Sequence, residues 1–307
     1  MAIKALGINY FKENEFPISV YRVNRKRGVT HEHDLTEKMH YHDFTEIAVV
    51  LQGNAVHYVE GNEMLVSAGD IFVLQGYQKH AFKDASNIEI ANVMFDMKKV
   101  KQILNVDTFK KIPGYKALFI LEPRIRNTHQ SKHVLRLSRK QLARVEFIVN
   151  TMHLEQELEE VGHKTIIKDK LEELIIYLSR EYSKSNAKEA IALIRISSII
   201  DYIETNYKED LDLNQLADIS CMSVRNFQRI FKKATGQSPI DYLIQVRLQK
   251  AKSYLRETLK PVAEIALETG FKDNNYFSRE FKKVLGVPPS SYRMRFKEEL
   301  QPDLSEF

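Results

Sequence analysis

Four side chains able to donate lone pairs sit in the first third of the chain: His40, His42 and Glu46, then His80. Imidazole nitrogens and a carboxylate form the ligand set of Zn, Ni, Fe or Mn sites. The same groups can hydrogen-bond the hydroxyls of a small effector such as a sugar. A third reading is structural, with the imidazoles satisfied by backbone groups near a sheet end. Spacing alone does not separate ligation from hydrogen bonding, so the three readings stand side by side. On a single strand, residues 40, 42 and 46 share parity and face one way. His80 joins them from a later strand.

The elements that must position these groups read as strands. Val20–Val23, Glu46–Leu51, Ala55–Val59, Met64–Val66 and Ile71–Leu74 are short apolar or alternating runs, and Gly53-Asn54, Gly61-Asn62 and Gly69-Asp70 mark turns between them. Short strands with regular turns predict a sandwich or barrel over residues 1–135. The spacing His40-x-His42-x3-Glu46-x6-Gly53, then Gly69-x10-His80, resembles the two motifs of the cupin superfamily, a small double-sheet barrel. That resemblance implies a divalent transition metal held by His40, His42, Glu46 and His80. The surroundings depart from it: Asp34 stands where Gly is usual, Gln75 and Tyr77 replace Pro and Gly, and Asp84 replaces Asn.

A second group of chemically capable residues lies near the end of the chain, and it occurs twice. Phe227-Gln-Arg-Ile-Phe231-Lys232-Lys233 returns 50 residues later as Phe277-Ser-Arg-Glu-Phe281-Lys282-Lys283. Gly236, Pro239 and Tyr242 are answered by Gly286, Pro289 and Tyr292, so the repeat is a duplicated helical module rather than a solenoid. In the first copy Asp212 opens a helix with Gln215 three residues on, Cys221-Met222-Ser223 makes a turn, and a second helix runs from Val224 to Ala234. This is the sequence form of a helix-turn-helix. A connecting helix follows Ser238-Pro239. Val262–Glu268 and Asn274–Leu285, capped at Asp273, make the second copy.

Helical spacing sorts the two second helices into faces. Phe227, Ile230, Phe231 and Ala234 are expected inward, as are Phe277, Phe281 and Val284. Arg225, Gln228, Arg229 and Lys232 share another face, repeated by Asn275, Ser278, Arg279 and Lys282. Arg and Lys can bond guanine edges and Asn and Gln can pair with adenine. Lys232, Lys233, Lys282 and Lys283 suit phosphates. Residues 191–297 hold 18 Lys and Arg against 12 Asp and Glu, while the rest of the chain is balanced at 28 against 29. The basic excess belongs to the repeat and points to a polyanionic partner.

This region resembles the DNA-binding domain of the AraC/XylS family of transcription regulators. The resemblance is carried by Arg247-Leu248-x2-Ala251, by Ile265-Ala266-x3-Gly270-Phe271-x-Asp273-x2-Tyr276-Phe277, and by Gly286-Val287-x-Pro289-x2-Tyr292-Arg293. Tyr254 departs from it, where an aliphatic residue is usual. The resemblance implies base contacts from Arg225, Gln228 and Arg229 in one unit and from Asn274, Asn275, Ser278 and Arg279 in the other. It also implies an N-terminal effector-binding barrel around His40, His42, Glu46 and His80. Gly114–Pro123 looks like members responsive to rhamnose or other sugars.

Between the two regions, residues 136–182 read as helices. Leu137, Leu142, Val145, Ile148 and Met152 form one stripe, and Ile167, Leu171, Leu174, Ile175 and Leu178 form another. They pack on the barrel or make a dimer. Residues 183–190 are the expected linker and 298–307 a tail. The expected architecture is α+β in two domains, a β-barrel with helices followed by an all-α double helix-turn-helix. One cysteine, Cys221, excludes an internal disulfide and fits a reducing, cytoplasmic compartment. The N-terminal residues lack the apolar run of a signal peptide.

The leading reading is a ligand-responsive DNA-binding activator of sugar-metabolism genes. Its expected partners are double-stranded DNA, a small effector, RNA polymerase and a second copy of the chain. The alternative is a metal-dependent cupin enzyme, an isomerase or dioxygenase, with a DNA-binding appendage.

Overall fold

The computed structural model describes residues 2–7, 10–11, 16–24, 38–85, 87–126 and 134–296, in two compact units, Met1–Ser197 and Ser198–Phe307. The expected tail 298–307 and Asp34 lie outside the described residues.

The first unit opens with strands β1 (Ile3–Ala5), β2 (Ile18–Asn24), β3 (His40–His42), β4 (Thr45–Gln52), β5 (Asn54–Val59), β6 (Asn62–Ser67), β7 (Asp70–Leu74), β8 (His80–Lys83) and β9 (Glu89–Phe95). Short helices α1 (Met97–Val100), α2 (Val106–Lys110), α3 (Pro113–Lys116) and α4 (Glu122–Arg126) follow, with one π-helical turn at Ala117–Leu121 between the last two. Strand β10 (Leu135–Arg136) then leads to the long helices α5 (Arg139–Leu158) and α6 (His163–Ser183).

The strands form two five-stranded sheets, ordered β1-β3-β8-β5-β6 and β10-β7-β4-β9-β2. The sheets are not closed into the expected barrel. At one end of the second sheet, the strand's backbone is met by a side chain instead of another strand: Gln156 of α5 accepts from the Val20 amide (2.8 Å) and donates to the Val20 carbonyl (3.0 Å). Helix thus covers an edge that closure would have paired. Strands β4 and β9 are buried on both faces almost throughout, which explains why Glu89–Phe95 shows no alternation in sequence. An apolar layer of Ala48, Val50, Phe72, Leu74, Phe82 and Ile90 forms part of this unit's core.

The π-helical turn has a local cause. Pro123 has no N–H, so the Phe119 carbonyl four residues earlier lacks its helical donor. Gln75 supplies one from its Nε2 at 2.5 Å, and Gln78 Nε2 donates to the Pro123 carbonyl at 3.0 Å. The loop between β7 and β8 is thereby tied to the helical segment. Gln75, a departure from the cupin pattern, has this structural duty. The segment between α6 and α7 (Lys188–Asn206) is only residues 184–187, shorter than the expected linker 183–190 because Ser183 ends one helix and Lys188 begins the next.

The second unit is helical: the end of α7, then α8 (Leu213–Ile219), α9 (Val224–Thr235), α10 (Pro239–Glu257), α11 (Val262–Glu268), α12 (Asn274–Leu285) and α13 (Pro289–Met294). Asp212 accepts from the Gln215 amide, and Ser238 from that of Asp241, so the expected caps start α8 and α10. Pro239 sits in the first turn of α10, where its missing N–H costs nothing. The second helix-turn-helix packs on the later part of α10 through Leu248, Ala251, Leu255, Ile265, Ala266, Phe271, Phe277 and Phe281. Among the described residues no helix is long and apolar enough to cross a membrane.

Candidate functional site

The duplication persists in three dimensions. Phe227 and Phe231 stand 5.5 Å apart and Phe231 and Tyr242 5.6 Å; Phe277 and Phe281 stand 5.6 Å apart and Phe281 and Tyr292 5.5 Å. In each trio the edge-to-face contact of the second Phe with Tyr pins the second helix to the helix after it. Both helices stop at a glycine in the left-handed region, Gly236 (φ 84°) and Gly286 (φ 77°), whose amides bond the Lys232 and Lys282 carbonyls at 2.8 Å. Helix α12 is also capped by Asp273, whose Oδ1 accepts from the amides of Asn275 (2.6 Å) and Tyr276 (2.9 Å).

With the phenylalanines buried, the polar faces point to solvent. Arg225, Gln228, Arg229 and Lys232 are exposed on α9, with Lys233 half-buried; Asn274, Asn275, Arg279, Lys282 and Lys283 are exposed on α12, with Ser278 half-buried. Two inward expectations fail. Val284 is 38% exposed and Ile230 only half-buried, because the Phe pairs already fill each contact with the following helix. The two faces hold their arginines differently. Arg229 Nη2 donates to Asn226 Oδ1 at 2.8 Å, whereas the Arg279 guanidinium lies 5.3 Å from the centre of the Tyr276 ring. Lys283 Nζ is 3.4 Å from Glu280 Oε2. Lys282 makes no ion pair among the described residues.

The histidine cluster sits between the two sheets of the first unit. His40 and His42 are on β3, His80 is on β8 opposite His40, and Glu46 is on β4 of the other sheet. The same-strand parity expected for residues 40, 42 and 46 does not hold. The chain bends at Asp43-Phe44 and changes sheet, and Glu46 returns to the cluster from across the core. All four are buried. His42 Nε2 is 3.1 Å and His80 Nε2 3.9 Å from Glu46 Oε2. His42, Glu46 and His80 bring ligand atoms within 4.8 Å of one another; His40 is outside that set, its ring centre 4.1 Å from that of His80 and tilted 58° to it.

The tautomers follow from the other ring nitrogens. His42 Nδ1 lies 2.8 Å from the Phe44 carbonyl and His80 Nδ1 3.1 Å from the Gln78 carbonyl. A carbonyl only accepts, so each Nδ1 carries a proton and each ring turns its Nε2 toward Glu46. Burial, reinforced by His40, His42 and His57, holds the His80 pKa well below the usual imidazole value and keeps it neutral. Two imidazole nitrogens and a carboxylate thus converge, with His42 Nε2, His80 Nε2 and Glu46 Oε1 lacking a hydrogen bond. This donor set fits a divalent transition metal, and equally the donors of a hydroxylated ligand.

Sequence reading missed His57 of β5. It is buried, stacked on Phe82 (4.2 Å between ring centres, 6° apart), and 6.1 Å from His80. Its inward parity with Ala55 and Val59 was the available signal.

Residues 216–295 match a helix-turn-helix domain and residues 29–158 an AraC-like ligand binding domain. The chain is 23% identical to the HTH-type transcriptional activator RhaR of Mannheimia succiniciproducens, over 94% of this chain and 95% of that one. It is 26% identical to the HTH-type transcriptional activator RhaS of an Enterobacter species, over 83% and 86%. The solved DNA-binding domain of AdpA, in complex with a target DNA, is 28% identical over 36% of this chain and 97% of that one, with a TM-score of 0.34.

Proposed function

We propose, from the premise that the chain belongs to the AraC family of transcription regulators, that α9 and α12 read two different base sequences and that a small ligand bound in the first unit controls this reading. The protein is a ligand-responsive, DNA-binding transcriptional activator. The observation carrying the proposal is the pair of exposed faces on one repeated scaffold. Arg225, Gln228 and Arg229 contact bases from α9; Asn274, Asn275, Ser278 and Arg279 do so from α12. Lys232, Lys233, Lys282 and Lys283 hold phosphates. The target is therefore asymmetric. Selecting duplexes from a randomised pool with the full chain tests this. Enrichment of a two-part motif with unlike halves supports it, and equal retention of all sequences refutes it.

The histidine cluster is the effector site in this proposal, and its class of ligand is a sugar or other polyol. Hydroxyl donors satisfy His42 Nε2, His80 Nε2 and Glu46 Oε1, with His40 beside them. A second reading rests on the 4.8 Å convergence of His42, Glu46 and His80. There these three residues hold a divalent transition metal, which supplies a positive charge for ligand oxygens. Either ligand regulates only through unequal affinity for two arrangements of the protein. Melting shifts of chelator-treated protein with sugars, and separately with Zn²⁺, Ni²⁺ or Mn²⁺, distinguish the two. A ligand at about 100 times its Kd adds about 2.7 kcal/mol. A shift that persists in His80→Ala contradicts both.

An activator also meets RNA polymerase, and we place a second copy of the chain on α5. Phe147, Leu154 and Leu158 are exposed on α5 and, with Thr151, follow the spacing of a coiled-coil seam. The helix starts basic (Arg139, Lys140, Arg144) and ends acidic (Glu155 and Glu157, with Glu159 and Glu160 just past its end), so an antiparallel copy matches charge as well as apolar surface. Sedimentation of Leu154→Lys gives monomer if this holds; an unchanged dimer excludes α5.

A further inference from the structure

Two reading helices recognise a longer site only if their separation is fixed, and one side chain off both reading faces touches both the lead into the first copy and the turn of the second. Arg247 lies in α10, the helix joining the two copies. Its Nε donates to the Tyr207 carbonyl and its Nη2 to the Glu209 carbonyl, both at 2.7 Å. These carbonyls belong to the segment that leaves α7 and leads into α8, the start of the first helix-turn-helix. The guanidinium also lies 5.8 Å from the centre of the Phe271 ring, in the turn of the second helix-turn-helix. That turn closes tightly on the same place. Gly270 has φ +89°, and a Cβ there would stand 2.8 Å from the Tyr207 carbonyl and 2.9 Å from Arg247 Nε. Only glycine allows this approach.

We infer that Arg247 is a positioning residue that fixes the spacing at which α9 and α12 meet DNA. The inference rests on the proposal that both helices read bases. Arginine suits the task because its rigid fork reaches two carbonyls at once while its plane faces an aromatic ring. Lysine carries the charge but offers a single point donor. Arg247 is half-buried, and the part-buried bond from its Nε to the Tyr207 carbonyl counts for more than an exposed contact. A second bridge, Lys272 Nζ to Asp210 Oδ2 at 2.5 Å, is solvent-exposed on both sides and contributes little; Lys250, 5.6 Å from the Tyr207 ring centre, ties α10 to the same first segment but does not reach the second turn. Without Arg247, α10 remains one continuous helix and both polar faces stay intact. What is lost is the register between the two ends.

The test is selection from a randomised duplex pool by full-length wild type, Arg247→Lys and Arg247→Ala, with affinities then measured on the wild-type site and on a duplex carrying one half-motif. The expected result is one fixed spacing for wild type, and for both variants the same two half-motifs at scattered spacings. Affinity for the wild-type site should fall about tenfold through lost preorganisation, with half-motif binding unchanged. If Arg247→Ala fails to fold, Arg247→Lys carries the comparison alone. Variants that keep the single spacing overturn the inference, as does an equal loss of half-motif and full-site binding. A wild type that enriches no two-part motif overturns the reading of DNA itself, which separates the two claims.

Discussion

The fully buried pair Glu122–Arg126 makes a sharp test of how the first unit is held together. Both side chains are 0% exposed, and Arg126 Nη2 meets Glu122 Oε1 at 2.9 Å, one helical turn apart. Arg126 also donates to the Val73 carbonyl at 3.4 Å and lies 5.4 Å from the centre of the Phe72 ring, joining α4 to the second sheet. Arg126→Met keeps much of the volume and removes the charge, leaving a carboxylate buried without its counter-ion. Such a break costs about 3–5 kcal/mol. Replacing both members with apolar residues removes the stranded charge. Glu122→Leu/Arg126→Met should therefore return to within about 1 kcal/mol of wild type. Urea unfolding with hydrogen exchange resolved to the first unit is the assay, because a chain of two units need not unfold in one step. A single-variant cost below about 1 kcal/mol would refute the reasoning, as would a double variant no better than the single.

Two further outcomes are expected. His80 is held neutral in the fold, below its ordinary pKa of 6.5, with His40, His42, His57 and Glu46 around it. The unfolded chain therefore binds a proton there that the folded chain refuses. Stability is complete above about pH 6.5 and falls as pH drops toward the lowered folded value, by at most about 1.4 kcal/mol per pH unit from this one group. Urea titrations from about pH 7.5 to about pH 5 check this; a His80→Gln profile as steep as wild type would contradict it. Lys282→Ala should weaken binding to all duplexes alike and lower the salt slope by about one, and selective loss at one base would assign it to readout instead.

The helical unit was legible almost residue by residue because its signals are local. Asp212, Ser238 and Asp273 cap helices, Gly236 and Gly286 end them, and the Phe stripe recurs. Val284 was misplaced because periodicity gives direction but not how far a contact extends. The sheets were half legible. Alternation located β5 and β6, but β9 is buried on both faces and β1, β3, β8 and β10 have five residues or fewer. At the histidine cluster the residues named from the sequence come together, but not on one strand, since a change of sheet at Asp43-Phe44 leaves no periodic trace. The tie that steadies the π-helical turn was likewise hidden, because it joins the Phe119 carbonyl to a side chain 44 positions earlier, Gln75.

The central claim is that one chain reads two unlike half-sites with two copies of one scaffold. The most direct measurement is affinity on every single-base variant of the selected duplex, for wild type, Arg229→Ala and Arg279→Ala. Each variant should lose about 1–3 kcal/mol of discrimination. The Arg229 losses should fall in one half of the site and the Arg279 losses in the other, without overlap. Losses from both at the same positions, or spread evenly over the duplex, would contradict the account.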